Sequence, residues 1–126
     1  TDAERDDVAP AKNDLKWWPL TNTGEDYGDA VFRKTGNRSL FQHAKVSNST
    51  PCRTLTSNGS LFTHWSECRR LTYREWKRIG SFPDDYIAKS DKIGKYMIGM
   101  SVPPKMTEQV ARAVCSQWLG VVYPTA

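Results

Sequence analysis

Arg69-Arg70-Leu71-Thr72-Tyr73-Arg74-Glu75-Trp76-Lys77-Arg78-Ile79-Gly80 holds the clearest helix start in the chain. Thr72 and Glu75 stand three apart, so the hydroxyl and the carboxylate can each satisfy a backbone donor that the first helical turn leaves unpaired. Leu71 before the cap and Trp76 four residues after it form a hydrophobic staple that sets the entry angle, and Gly80 is the expected stop. Downstream, Phe82-Pro83-Asp84-Asp85-Tyr86 resists regular structure, because Pro83 lacks an amide donor and both acids favour turns. A further polar stretch leads to Pro103-Pro104. There a longer helix opens, with Met106, Val110, Ala113, Val114, Gln117 and Trp118 near one face and Gly120 closing it.

Upstream, the apolar residues between Tyr27 and His64 come in short pieces: Ala30-Val31-Phe32, Ser39-Leu40-Phe41, Thr54-Leu55-Thr56 and Leu61-Phe62. Gly, Asn, Ser and Pro separate them, which predicts short antiparallel strands and turns. In Thr54-Leu55-Thr56 a pleat sends Leu55 to one face and both hydroxyls to the other, and Ser57-Asn58-Gly59-Ser60 turns the chain back into a hairpin. Lys16-Trp17-Trp18-Pro19-Leu20 supplies two large rings as anchors to a core, and Pro19 argues against a helix. The fold expected is α+β: a small domain with short antiparallel strands, a short capped helix and a longer C-terminal helix. It divides into a flexible acidic lead-in over 1–14, a middle region over 15–66 and a helical region over 67–126.

The 126 residues suffice for one domain, and 38% hydrophobic content with five Trp is enough for a modest core. No apolar run approaches the roughly 18 residues that a membrane helix needs, and no signal peptide pattern opens the chain. A soluble, intracellular protein is expected. Cys52, Cys68 and Cys115 make no C-x-x-C pair, and with His43 and His64 they match no usual zinc spacing. Reduced thiols and no metal are the reading.

Charge is unevenly distributed. Residues 1–30 hold eight acids against Arg5, Lys12 and Lys16, whereas residues 31–78 hold ten Lys or Arg against Glu67 and Glu75 alone. A basic stretch of this kind suits a polyanion, since each phosphate neutralised releases condensed counterions. Arg53, Thr54, Thr56, Arg69 and Arg70 are the candidate nucleic-acid contacts: hydroxyls on one face flanked by guanidinium groups suit backbone phosphates, which position the partner without reading its sequence. Arg33, Lys34, Arg38 and Lys45 are candidates for reaching bases.

Two strings in order carry a family resemblance: Arg69-Arg70-Leu71-Thr72-x-Arg74-Glu75-x-x-Arg78-Ile79-x-x-Phe82-Pro83-Asp84-Asp85-Tyr86, then Ile98-Gly99-x-Ser101-Val102-Pro103-Pro104. Together they resemble the ninth and tenth motifs of DNA (cytosine-5) methyltransferases, and Pro51 to Thr56 resembles the end of that family's target-recognition region. The resemblance implies that Gly99, Ser101 and Val102 border an S-adenosylmethionine pocket, with Met100 standing where the family often has Asn. It implies that Arg74, Glu75, Arg78, Phe82 and Asp84 brace the recognition region. It also implies chemistry that this sequence does not carry: a Pro-Cys nucleophile that attacks the flipped cytosine, a glutamate that assists it and a glycine-rich cofactor motif. Pro51-Cys52 lies where the family has a recognition strand, with no nearby glutamate motif, so Cys52 is rejected as nucleophile.

The expected function is the C-terminal target-recognition portion, or a small subunit, of such an enzyme. It would bind double-stranded DNA and complete the cofactor pocket for a large catalytic domain or subunit, and would be inactive alone. The implied setting is the bacterial or phage cytoplasm, associated with the nucleoid. Two alternatives stand beside it: a non-catalytic DNA-binding module derived from that family, and a protein-interaction domain that docks its last helix.

Overall fold

The computed structural model describes residues 8–120. In chain order these form α1 (Lys12–Trp17), a 3-10 turn (Trp18–Leu20), α2 (Tyr27–Thr35), β1 (Ala44–Lys45), β2 (Phe62–Thr63), α3 (Tyr73–Ile79), α4 (Asp91–Gly99) and α5 (Pro104–Trp118). The class is α+β, with helices dominant. The strands pair in parallel, Ala44 opposite Phe62 and Lys45 opposite Thr63, which corrects the antiparallel expectation. Among the described residues, antiparallel pairing survives only as single bridges, Asp26 with Ala44 and Thr63 with Arg70. A tight turn cannot join parallel strands, so the chain needs a long crossover. Residues 46–61 are that crossover, and they carry Arg53, Thr54 and Thr56.

The predicted hairpin is therefore absent. Thr54-Leu55-Thr56 is irregular, yet its alternation holds: Leu55 packs on the core while Thr54 and Thr56 stay exposed. Ser57–Ser60 does form a turn, in which Asn58 Oδ1 accepts from the Ser60 amide and hydroxyl. Ala30-Val31-Phe32, expected in a strand, lies in α2. Asp26 caps that helix by accepting from the Asp29 amide, and Gly36 ends it at φ 76°. The i, i+3, i+4 set Tyr27, Ala30 and Val31 is buried, which is the helical period rather than the strand period.

The start of the fold also moves. Val8 is buried and its carbonyl accepts from the Arg70 amide, and α1 begins at Lys12, so the ordered unit extends upstream of Leu15. Residues 1–7 of the predicted lead-in lie outside the described residues. Pro19 is accommodated in the first turn of the 3-10 segment, where its missing N–H costs nothing. Trp17 is buried and the Trp18 indole donates to the His64 carbonyl at 2.7 Å, the anchoring role expected of the pair.

Two apolar clusters result. Trp17, Tyr27, Ala30 and Val31 form the smaller one. Ala44, Val46, Leu61, Phe62, Leu71, Trp76 and Ile98 form the larger, with Leu71 and Trp76 fully buried as the staple requires. Burying a side chain of that size contributes about 1.5–3 kcal/mol. The Tyr27 hydroxyl joins the clusters, 3.1 Å from Asp14 Oδ1 and 3.2 Å from Thr63 Oγ1.

α3 has the full capping box: Thr72 Oγ1 accepts from the Glu75 amide, and Glu75 accepts from the Thr72 amide. Gly80 caps its end with ordinary φ, and the left-handed residue is Ser81 at φ 59°. α4 arises where the sequence predicts only a polar stretch. Its two glycines, Gly94 and Gly99, argue against a helix on propensity. Both are packing sites instead: a Cβ on Gly94 would enter the Tyr73 ring of α3, and one on Gly99 would enter the Thr56 carbonyl. α5 forms as expected, with no residue buried. Among the described residues, no helix is long and apolar enough to cross a membrane.

Candidate nucleic-acid interface and cofactor edge

The crossover builds a cleft of about 650 Å³ whose walls include Phe41, Gln42, Arg53, Thr54, Thr56 and Asn58. Three of the five predicted DNA contacts thus meet. Thr54 and Thr56 present hydroxyls because the inward Leu55 between them fixes the local alternation. Arg53 is aimed by Asp26, whose Oδ2 accepts from Arg53 Nη1 at 2.9 Å and from Arg38 Nη2 at 3.0 Å. Burial pushes the Asp26 carboxyl up, but the Arg53 hydrogen bond, the Asp29 amide and the Arg38 charge more than offset it, so the group lies below the usual aspartate range. Half of the Arg53 side chain remains exposed, which leaves it able to meet a phosphate.

The other two arginines are placed differently. Arg69 grips Glu75 through two parallel bonds of 2.8 Å and also pairs with Glu67, so its guanidinium braces α3 rather than facing the cleft. Arg70 sits 3.5 Å from the buried Asp14 carboxylate and lines a neighbouring cleft. Of the predicted base-reaching residues, Lys45 is turned inward: its ammonium lies 3.7 Å from the Trp18 ring centroid and donates to the Thr21 carbonyl. Arg33 pairs with Glu25, and Arg38 with Asp26 and Asp29.

Around α3, Glu75, Arg78, Phe82 and Asp84 make local contacts. Glu75 is raised by burial, yet the Arg69 bonds and the Thr72 amide bring it down to about 2. Arg78 pairs with Asp84 at 3.1 Å across the turn after α3, and Phe82 packs on the larger cluster. Cys52 is pushed up to about 11 by burial, so it stays a thiol near neutral pH, consistent with its rejection as a nucleophile.

The segment after α4 holds the cofactor candidates. Gly99 lies against the Thr56 backbone, so the tenth-motif string sits directly behind the hydroxyl-bearing crossover. The Ser101 hydroxyl donates to the Met97 carbonyl at 2.6 Å, while Met100 and Val102 are exposed.

A family model described as "C-5 cytosine-specific DNA methylase" matches residues 11–116. The chain belongs to this family. A type II methyltransferase of Brevibacillus brevis, M.BbvI, is 40% identical over 88 residues, covering 66% of this chain and 23% of that protein. A putative type II methyltransferase of Methanocaldococcus jannaschii, M.MJ0563P, is 30% identical over 92 residues, covering 72% of this chain and 30% of that protein. The chain therefore spans less than a third of the length of these two relatives. M.AquIB of Picosynechococcus sp., another type II methyltransferase, differs: 30% identity over 93 residues covers 64% of this chain and 67% of that protein, so it is itself short. No solved structure matches the chain. C-5 DNA methylases use S-adenosylmethionine, and the setting of the family is DNA methylation and restriction–modification.

The sequence reading missed Asp26 and Asp14, the two buried acids that orient Arg53 and Arg70. Asp26 carried a signal, since with Gly36 it brackets a helix-length segment, a cap at each end. Asp14 shows locally only as an acid in the first turn of α1, where it accepts from the Ala11 amide at 2.8 Å; its partners Tyr27 and Arg70 lie 13 and 56 residues away.

Proposed function

We propose that this chain is the target-recognition and C-terminal portion, or a small subunit, of a DNA (cytosine-5) methyltransferase. It grips duplex DNA and supplies one edge of the S-adenosylmethionine pocket, and a large domain elsewhere supplies the nucleophilic cysteine and the rest of the cofactor site. The observation that carries this reading is α5. Met106, Val110, Val114 and Trp118 line one face of it and are all exposed, an apolar stripe that the described residues leave uncovered. Such a stripe favours burial against another surface. The short relative M.AquIB supports an arrangement in which this part of the family exists as a polypeptide of its own.

Within the assembled enzyme, Val102 and the Gly99–Ser101 backbone would hold the cofactor, whose bound methyl group is the one transferred. Arg53, Thr54 and Thr56 would position the duplex by its backbone, and Glu75 with Arg69 ties the start of α3 to the segment that precedes it.

The test is reconstitution. The chain is mixed with the M.BbvI protein from which the region matching this chain has been deleted, and tritiated methyl transfer from S-adenosylmethionine to duplex DNA is followed. Activity that requires both pieces, and that is lost when Val114 is changed to Asp, is the expected result. Methyl transfer by the chain alone, or failure of the two pieces to associate at any concentration, overturns the reading.

A further inference from the structure

The Ser57–Ser60 turn separates two clefts. On one side lies the Arg53–Thr56 cleft already described; on the other, a cleft of about 750 Å³ opens between this turn and α4. Ser57 and Asn58 line both, so the clefts are continuous around the turn. The second is basic. Arg70, Lys92 and Lys95 line it with the hydroxyl-bearing Ser57, Ser60 and Ser90, and among the described residues no carboxylate does.

Its geometry is set from below. Arg70 Nε lies 3.5 Å from the buried Asp14 carboxylate, an ion pair without a hydrogen bond, and Arg70 lines the cleft. Lys95 is buried along the turn: a Cβ on Gly59 would strike its Cβ and Cδ, so a bare glycine is what lets this stem lie across the turn. Lys92 is exposed at the rim. A site of three cations and several hydroxyls, with no acid on its walls, suits an oxyanion that presents several acceptors at once, as a phosphodiester does.

We propose that this second cleft takes a backbone phosphate of the same duplex whose neighbouring stretch lies over Arg53, Thr54 and Thr56, with Lys92 and Arg70 as its charged contacts. The assignment rests on the DNA-binding reading above and extends it to residues on α4 that the sequence did not nominate.

The experiment measures fluorescence anisotropy of a labelled 24-base-pair duplex with the 126-residue chain over a range of salt concentrations, for wild type, Lys92→Gln and Arg53→Gln. Lys92 is exposed on a helix surface, so its loss leaves the fold intact, which circular dichroism checks. The expected result is a fall in affinity of roughly five- to tenfold at 0.1 M salt for Lys92→Gln, with the slope of log K against log salt shallower by about 0.9. An unchanged slope in Lys92→Gln, with Arg53→Gln still weakening binding, overturns the second cleft and leaves the first standing. A wild-type chain that binds no duplex overturns both. Inorganic phosphate titrated at constant ionic strength separates the sources: if it saturates the cleft at micromolar concentration, shifting the Gly59 and Ile93 amide signals without DNA, the ligand is a free phosphate and the duplex assignment fails.

Discussion

Gly99 lies against the Thr56 backbone so closely that a methyl group on its Cα would occupy the space of the Thr56 carbonyl. This contact joins the end of α4, where the cofactor candidates begin, to the crossover that carries the DNA candidates. Neither segment can shift alone. Gly99→Ala must push the crossover away or unwind the end of α4, and because the obstacle is backbone rather than a flexible side chain, relief is expensive. A loss of about 2–3 kcal/mol in urea unfolding is expected. An unfolding midpoint equal to that of wild type contradicts the packing role.

The Gly94–Tyr73 approach makes a related case with an escape. A Cβ at position 94 meets the Tyr73 ring, which is a side chain and can be removed. Gly94→Ala should destabilise by about 1–3 kcal/mol. Tyr73→Leu should cost less, losing the bond from the Tyr73 hydroxyl to the Tyr86 carbonyl. In the double variant the clash is gone, so the sum of single effects should exceed the measured one by at least about 0.5 kcal/mol. Strict additivity would falsify the steric account.

Acid should loosen α3 through Glu75. Its folded pKa, about 2, lies below its ordinary value of 4.5, so the unfolded chain binds the proton first. The stabilisation is present above the ordinary value and is lost as pH falls from there toward 2. Glu75→Gln keeps a capping acceptor but loses the charge facing Arg69, and should flatten the stability profile across that window while lowering stability at neutral pH by about 2 kcal/mol. Stability measured from pH 7 to pH 2.5 on both proteins checks this.

His64 gives a second, milder pH effect at higher pH. It is buried, and Nδ1 accepts from the Ser66 and Glu67 amides at 3.3 Å. Burial, then the nearby Arg69 charge, hold its pKa below 6.5, although Glu75 and Glu67 pull the other way. The unfolded chain therefore takes up the proton before the folded one, and stability drops as pH falls below about 6.5. His64→Gln should remove that drop. If wild type is as stable at pH 5.5 as at pH 8, the imidazole is not held neutral.

Asp26 restrains two cations at once. Asp26→Asn keeps a side-chain oxygen for the Asp29 amide but releases Arg53 from its charged partner and leaves Arg38 paired with Asp29. Both guanidinium groups are about half exposed and can be taken up by water, so the stability cost should be near 1 kcal/mol. Duplex binding should tighten and its salt dependence steepen, as one buried negative charge has been removed from behind Arg53. Weaker binding with an intact fold would mean that the aiming of Arg53 by Asp26 outweighs its neutralisation.

Some of this molecule follows from short spans of sequence. Leu71 to Gly80 fixes α3, because a cap, a staple and a stop all act within ten residues. Pro103-Pro104 opens α5 in the same way, and Leu55 between two threonines sets which hydroxyls face outward. The motif strings around Arg69 and Gly99 were sufficient to point to the methylase family. Tertiary structure decided the rest. The strands run parallel because two-residue strands carry too little pattern to specify a partner or direction, and packing of Phe62 against Trp76 and Leu71 chose both. α4 tolerates its glycines because they are close-approach sites, a property invisible until Tyr73 and Thr56 arrive beside them. The acidic beginning and the basic middle read as separate regions along the chain, yet Asp14 and Asp26 fold under Arg70, Arg38 and Arg53. Local signals act over a few residues, whereas ion pairs and glycine contacts depend on distances that only the completed fold brings within reach.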